Sequence, residues 1–228
     1  LLTGQTVPGQ FTQIVFPGLS YLVDIQGDFP QNFFVRACYK YSTRSTTQIC
    51  IANDVTGSLT DTGDAVCRVD GTKESQNSGG PIQVTNVRQM PQGSNKISLM
   101  FDVVHKGTGN VYAPAITPTN CDTALQNPDK DKVLVKVYFA DQSSANTQVT
   151  CTGGFSGPLA PTKNNPLFAQ VMLYQGSPRT ITCTVAETTP TSQQKILVTD
   201  LLYVDVEYNY GESLSGRFLV KDVGSANN

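Results

Sequence analysis

The sequence predicts an all-β protein built as tandem Ig-like antiparallel β-sandwiches and stapled by disulfides. Three observations carry that expectation: apolar residues recur with period two, Gly, Pro, Asn and Ser clusters punctuate the chain at short intervals, and six cysteines accompany a single histidine in 228 residues. The period is plainest in residues 132–140 and 202–210. Val133, Val135, Val137 and Phe139 share one face of the first stretch, and Leu202, Val204, Val206, Tyr208 and Tyr210 share one face of the second. Their other faces carry Lys136, Asp205, Glu207 and Asn209, the pattern of half-buried antiparallel strands. Similar short strands are expected near 10–16, 20–26, 33–42, 46–53, 64–69, 81–88, 96–105, 109–115, 147–152, 169–175, 179–186, 195–200 and 215–223. The one helix-like stretch is the turn Asp122-Thr123-Ala124-Leu125.

The most polar linker, DGTKESQNSGG over 70–80, places a domain boundary between an N-terminal unit of residues 1–76 and a C-terminal sandwich of residues 77–228. The second holds about nine strands, enough for a complete sandwich, whereas the first holds about five against the roughly seven of an Ig-type domain. The first unit is therefore expected to be incomplete by itself: either a preceding domain has been lost, or a strand donated by a neighbouring subunit fills the gap. The donor candidate is the run Gln10, Phe11, Thr12, Gln13, Ile14, Val15, Phe16, whose apolar QIVF end needs an edge to cover.

The cysteines read as disulfides, which imply an oxidising compartment and hence a secreted, extracellular or cell-surface chain. No CxxC pair is present, so a zinc site is not expected. A hairpin over 33–51 with a three-residue loop at 43–45 sets Cys38 opposite Cys50. Cys151 follows Val149 and Cys183 lies between Ile181 and Val185, so both point into the core and their bond is expected to staple two sheets together. Cys67 and Cys121 remain, and their bond ties the two units together. A loop of about 30 residues closed in this way contributes on the order of 3 kcal/mol by constraining the unfolded chain.

The 16 basic and 18 acidic side chains are mixed along the chain, which offers no basic face to nucleic acid or anionic lipid. No apolar run approaches the length of a membrane-spanning helix and no Asn-x-Ser/Thr sequon occurs. A signal peptide or anchor, where one exists, lies outside these residues.

The patterns in the sequence that come nearest to catalytic motifs read as structural. His105 ends a strand at a KGTG turn, where a histidine is ordinarily solvated; GGFSG at 153–157 has Pro158 in place of the last glycine of a nucleophile elbow; the GTG at 107–109 lacks the Lys-Ser/Thr of a phosphate loop. Two acidic loops are calcium candidates, one with Asp54, Asp61 and Asp64, the other with Asp122, Asp129 and Asp131, and solvated turn aspartates are the simpler reading of both. Asp205 and Glu207 share a strand face near Lys136 and read as solvated surface rather than a glycosidase pair. Tyr203, Tyr208 and Tyr210, with Tyr138 and Tyr174, are residue types that platform sugars, although tyrosines in strands ordinarily pack.

The hairpin ACYKYSTRSTTQICI, then AVC, SGGPIQVTNV and FDVVHKGTGNVYAP, then YQGSPRTITC and VEYNY near the end, resemble a group of exported surface proteins of small-genome, DPANN-type archaea with Ig-like, CARDB-like β-sandwiches. The resemblance spans nearly the whole chain. It implies an archaeal cell-surface sandwich whose relatives carry an anchored region upstream, and it implies no catalytic activity. Together these readings point to a structural subunit of an extracellular assembly, a filament or surface coat joined by strand complementation. A monomeric adhesin or glycan-binding module is the alternative, and other surface components are expected as partners of either.

Overall fold

In a computed structural model, residues 13–18, 25–52, 67–93, 95–114, 121, 127–140, 147–174, 177–188 and 197–222 are described. Among them are eleven strands and no helix: β1 (Phe29–Ala52), β2 (Gly71–Thr72), β3 (Ser75–Asn77), β4 (Ile82–Pro91), β5 (Lys96–His105), β6 (Asn110–Tyr112), β7 (Lys132–Phe139), β8 (Thr147–Cys151), β9 (Leu167–Met172), β10 (Arg179–Glu187) and β11 (Leu197–Val220). They form two antiparallel sheets in a sandwich-like arrangement. One runs β3-β1-β11-β7-β9, with β6 also on β11, and the other runs β2-β4-β5-β10-β8.

The alternation of β7 and β11 is realised in their register, where Val137 pairs with Val204 and Val135 with Val206. Their apolar faces meet Val84, Leu99, Phe101, Val103, Ile181 and Val185 of the other sheet in one buried cluster. A pleated strand sends every second side chain inward, and most of these inward positions are β-branched, aromatic or Leu.

Two carboxamides join the layers. Gln89 of β4 is fully buried; its Oε1 accepts the Cys50 N–H at 3.1 Å and its Nε2 donates to the Cys50 carbonyl, as a neighbouring strand would. Asn77 of β3 does the same in the opposite direction, donating to the Val84 carbonyl at 2.8 Å and accepting its N–H at 2.9 Å. Each thus satisfies a backbone pair that the sandwich geometry leaves open.

The hairpin expected over 33–51 is instead one strand of 24 residues. Thr43-Arg44-Ser45 contains no glycine or asparagine to turn the chain, and Ser45, Thr46 and Thr47 are paired to β3. Cys38 and Cys50 are then 12 residues apart along an extended strand, about 40 Å at roughly 3.3 Å per residue, and cannot bond. The bonds are Cys38–Cys121, Cys50–Cys67 and Cys151–Cys183. The third pairing was expected, but it does not join two sheets: its partners are directly paired between β8 and β10, neighbours in one sheet. The other two correct the expected Cys38–Cys50 and Cys67–Cys121 pairs. Gly211 makes room for the first: a Cβ there would lie 3.1 Å from the Cys121 Cβ.

The sequence boundary at 76/77 falls inside β3, and strands from both sides of it pair with one another in the second sheet, through β2 and β4. Contacts group the chain differently, into residues 38–211 and a smaller unit of 1–37 with 212–228.

Candidate functional site

Within the larger unit, the outer face of β1 and β11 carries a network rather than the solvated carboxylates expected. Asp205 is only 9% exposed. Its carboxylate accepts from Arg44 Nε at 2.7 Å and Nη2 at 2.8 Å and from the Tyr138 hydroxyl at 3.0 Å. The forked guanidinium matches both carboxylate oxygens, and that hydrogen bond holds the Arg44 pKa above its ordinary value. The guanidinium carbon also stands 5.8 Å from the Tyr203 ring centre, and Tyr203 stacks on Tyr138 at 5.3 Å. Beside them Lys136 donates to Glu207. Each of the two carboxylates thus has a cation beside it.

On the inner face the tyrosines pack. Tyr41 stacks on Tyr208 at 5.8 Å, Tyr39 meets Tyr210 edge-on at 5.8 Å, and the Tyr208 hydroxyl is hydrogen-bonded to Thr43 Oγ1 at 2.9 Å. His105 lies edge-on to Tyr210, and burial pushes its pKa below the ordinary value, with Asp131 opposing. The Tyr210 hydroxyl accepts the Gly109 N–H at 2.7 Å, so the GTG turn is a seat for this ring. A Cβ on Gly109 would come within 2.5 Å of the Gly211 carbonyl and 2.7 Å of Tyr210 Cζ. Gly109→Ala is therefore expected to cost about 2 to 3 kcal/mol in urea unfolding, because neither the backbone nor a buried ring can yield.

Burial pushes the hydroxyls of Tyr138 and Tyr208 up to about 12, from an ordinary 10; for Tyr138 the hydrogen bond to Asp205 adds to it. Both groups hold their protons to higher pH when folded. Their contribution to stability is complete below pH 10 and is lost as the pH rises from 10 through 12. Urea midpoints measured between pH 8 and 12 should fall steeply above 10, and Tyr208→Phe should flatten that fall.

The smaller unit contains the outer parts of β1 and β11 as a two-stranded ribbon. Phe33 contacts Phe218 at 6.1 Å, and the Gly27 N–H donates to the Asp222 carboxylate at 3.0 Å. Numbers rise on one strand as they fall on the other, as in an antiparallel pair. By alternation one face bears Phe29, Gln31, Phe33, Val35, Leu214, Gly216, Phe218 and Val220, apolar but for Gln31. Phe29, Phe33, Phe218 and Leu214 are 44%, 38%, 49% and 67% exposed. The other face mixes Phe34 and Leu219 with Asn32, Arg36, Ser213, Ser215 and Arg217. Among the described residues of this unit there is no third strand, and Phe33, Leu214 and Phe218 are left exposed.

Of the expected donor run, Gln10, Phe11 and Thr12 lie outside the described residues. Gln13, Ile14, Val15 and Phe16 form no strand and are well exposed. Asp54, Asp61, Asp64 and Asp122 also lie outside. Asp129 and Asp131 belong to the turn that holds β6: the Asp129 carbonyl accepts the Ala113 N–H at 2.7 Å, and the Asp131 carbonyl accepts the Leu173 N–H at 2.7 Å. Among the described residues no three His, Cys, Asp or Glu groups converge on a common point for a metal, and no described helix is long and apolar enough to cross a membrane. The ribbon face was not foreseen, although the alternation of Phe29, Phe33 and Val35 against Leu214, Phe218 and Val220 was a legible signal. No protein-family model, curated protein or solved structure matches this chain.

Proposed function

We propose that the protein is a non-enzymatic structural subunit of an extracellular or cell-surface assembly, a filament or coat held together by strand complementation between copies. One observation carries this reading: a two-stranded ribbon on which Phe33, Leu214 and Phe218 stay exposed among the described residues. Such a ribbon is marginal by itself in water, and a patch of this kind gains from being covered. The exposed Gln13, Ile14, Val15 and Phe16 of a neighbouring copy have the chemistry to cover it, since the ribbon's outer edges offer backbone groups and its face offers aromatic rings. Three disulfides and the resemblance to archaeal surface sandwiches support an exported setting.

Negative-stain microscopy and native mass under non-reducing conditions test it. The full chain is expected to form ordered fibres, sheets or closed oligomers in a concentration-dependent manner, and a chain lacking residues 1–16 is expected to stay monomeric. A full chain that remains monomeric at high micromolar concentration would sink the proposal.

A further inference from the structure

A cleft of about 400 Å³ opens at one edge of the larger unit, where β9 and β10 run past their neighbours. Its floor is Val171 and Ile181, and its walls include Thr152, Gln170, Tyr174 and Arg179. The volume lies at the lower end of the roughly 300 to 1,000 Å³ of small-molecule sites. The cleft exists because β8 ends at Cys151 and the chain then crosses to the other sheet, where Ser156 pairs with Phe168. Beyond that bridge β9 has an open edge. The Phe168 N–H and carbonyl face Ser156, at 2.9 Å each, so by alternation those of Gln170 face the same side, away from β7.

Arg179 occupies an inward position of β10, two residues before buried Ile181, where the strand otherwise carries apolar side chains. Among the described residues no carboxylate lies within ion-pair distance of it. Asp102, cross-strand to Thr180, is engaged elsewhere: its oxygens accept from Thr180 Oγ1 at 2.6 Å and Asn86 Nδ2 at 2.8 Å. Tyr174, 66% exposed, presents its ring at the rim. An unneutralised guanidinium, a free aromatic face, a carboxamide and open backbone groups around a small apolar floor match one class of ligand.

We propose that this cleft binds an acidic sugar, a pyranose bearing a carboxylate. Arg179 takes the carboxylate through its paired N–H donors. The Tyr174 ring lies against the C–H face of the pyranose, and Gln170 and its backbone exchange hydrogen bonds with ring hydroxyls. The inference does not rest on self-assembly, because no ribbon residue lines the cleft.

The test is isothermal titration with amide shift mapping of the full chain, using tetragalacturonate as probe, maltotetraose as neutral control and sodium acetate as a source of free carboxylate. A Phe33→Asp, Phe218→Asp background keeps the sample monomeric should the chain assemble. Saturable binding of tetragalacturonate with shifts at residues 170–180 is expected. Arg179→Gln should weaken it about tenfold or more, the scale of a charged hydrogen bond, and Arg179→Lys should fall between. Tyr174→Ala should weaken acidic sugar binding without creating any for acetate. Equal affinity for maltotetraose, equal affinity for acetate at the same amides, an unchanged Arg179→Gln, or no binding at millimolar probe would each overturn the proposal.

Discussion

A chain carrying Phe33→Asp and Phe218→Asp is expected to lose assembly altogether while its larger unit unfolds at an unchanged urea concentration. The two rings touch on the exposed face of the ribbon. Two carboxylates there would have to be desolvated when a neighbour docks, which costs several kcal/mol per buried charge and removes two aromatic contacts at once. In the isolated chain the same carboxylates remain in water, so folding has little reason to suffer. Sedimentation velocity at several concentrations reads the first effect, and urea unfolding followed by tyrosine fluorescence reads the second. Assembly that persists in the double variant would place the contact elsewhere and remove the observation on which the structural role rests. The milder Phe33→Leu should retain assembly, because apolar cover rather than ring identity is what the face provides.

Asp205→Ala is expected to be among the most destabilising single changes on the outer face of the sheet, at about 2 to 3 kcal/mol. The carboxylate serves three donors, and its removal leaves the Tyr138 hydroxyl, on a residue only 3% exposed, without its acceptor. Arg44 can turn to water, since its side chain is 46% exposed, which keeps the loss below that of a fully buried pair. In a protein of this size the midpoint of thermal unfolding should fall by about 5 to 10 °C. Asp205→Asn, which keeps an acceptor for Tyr138 but not the charge, should recover about half. A double-mutant cycle with Arg44→Met separates the ion pair from the tyrosine bond. A coupling of less than about 0.5 kcal/mol would mean that the guanidinium adds only surface charge.

Strand alternation made most of the fold legible. β5, β7, β10 and the middle of β11 were read from their own residues, because a half-buried strand must place apolar side chains at every second position whatever lies beyond it. The inward direction of Cys151 and Cys183 followed from the same rule and pointed to their bond, although it joins neighbouring strands of one sheet and not two sheets. Alternation reports a face and not a distance. Cys38 and Cys50 have the same parity in a hairpin and in one long strand, and only the pairing of Ser45, Thr46 and Thr47 with β3 reveals that the chain does not turn. β2 and β3 lay inside what read as a polar linker, because strands of two or three residues carry no period of their own.

By itself the sequence determined the all-β class, the core faces of the longer strands and an oxidised set of cysteines, since each depends on residue type and spacing along the chain. Tertiary structure alone decided the partners of Cys38, Cys50, Cys67 and Cys121, the burial of Asp205 beneath Arg44 and Tyr138, the docking of Gln89 and Asn77 onto the opposite sheet, and the open edge beside Arg179. Each of these joins residues that are distant in sequence, and nothing in the local pattern specifies which distant backbone or side chain will arrive. The apolar face of the ribbon stands between the two kinds. Its residues alternate as any core strand does, and only the folded chain shows that among the described residues no second sheet covers them.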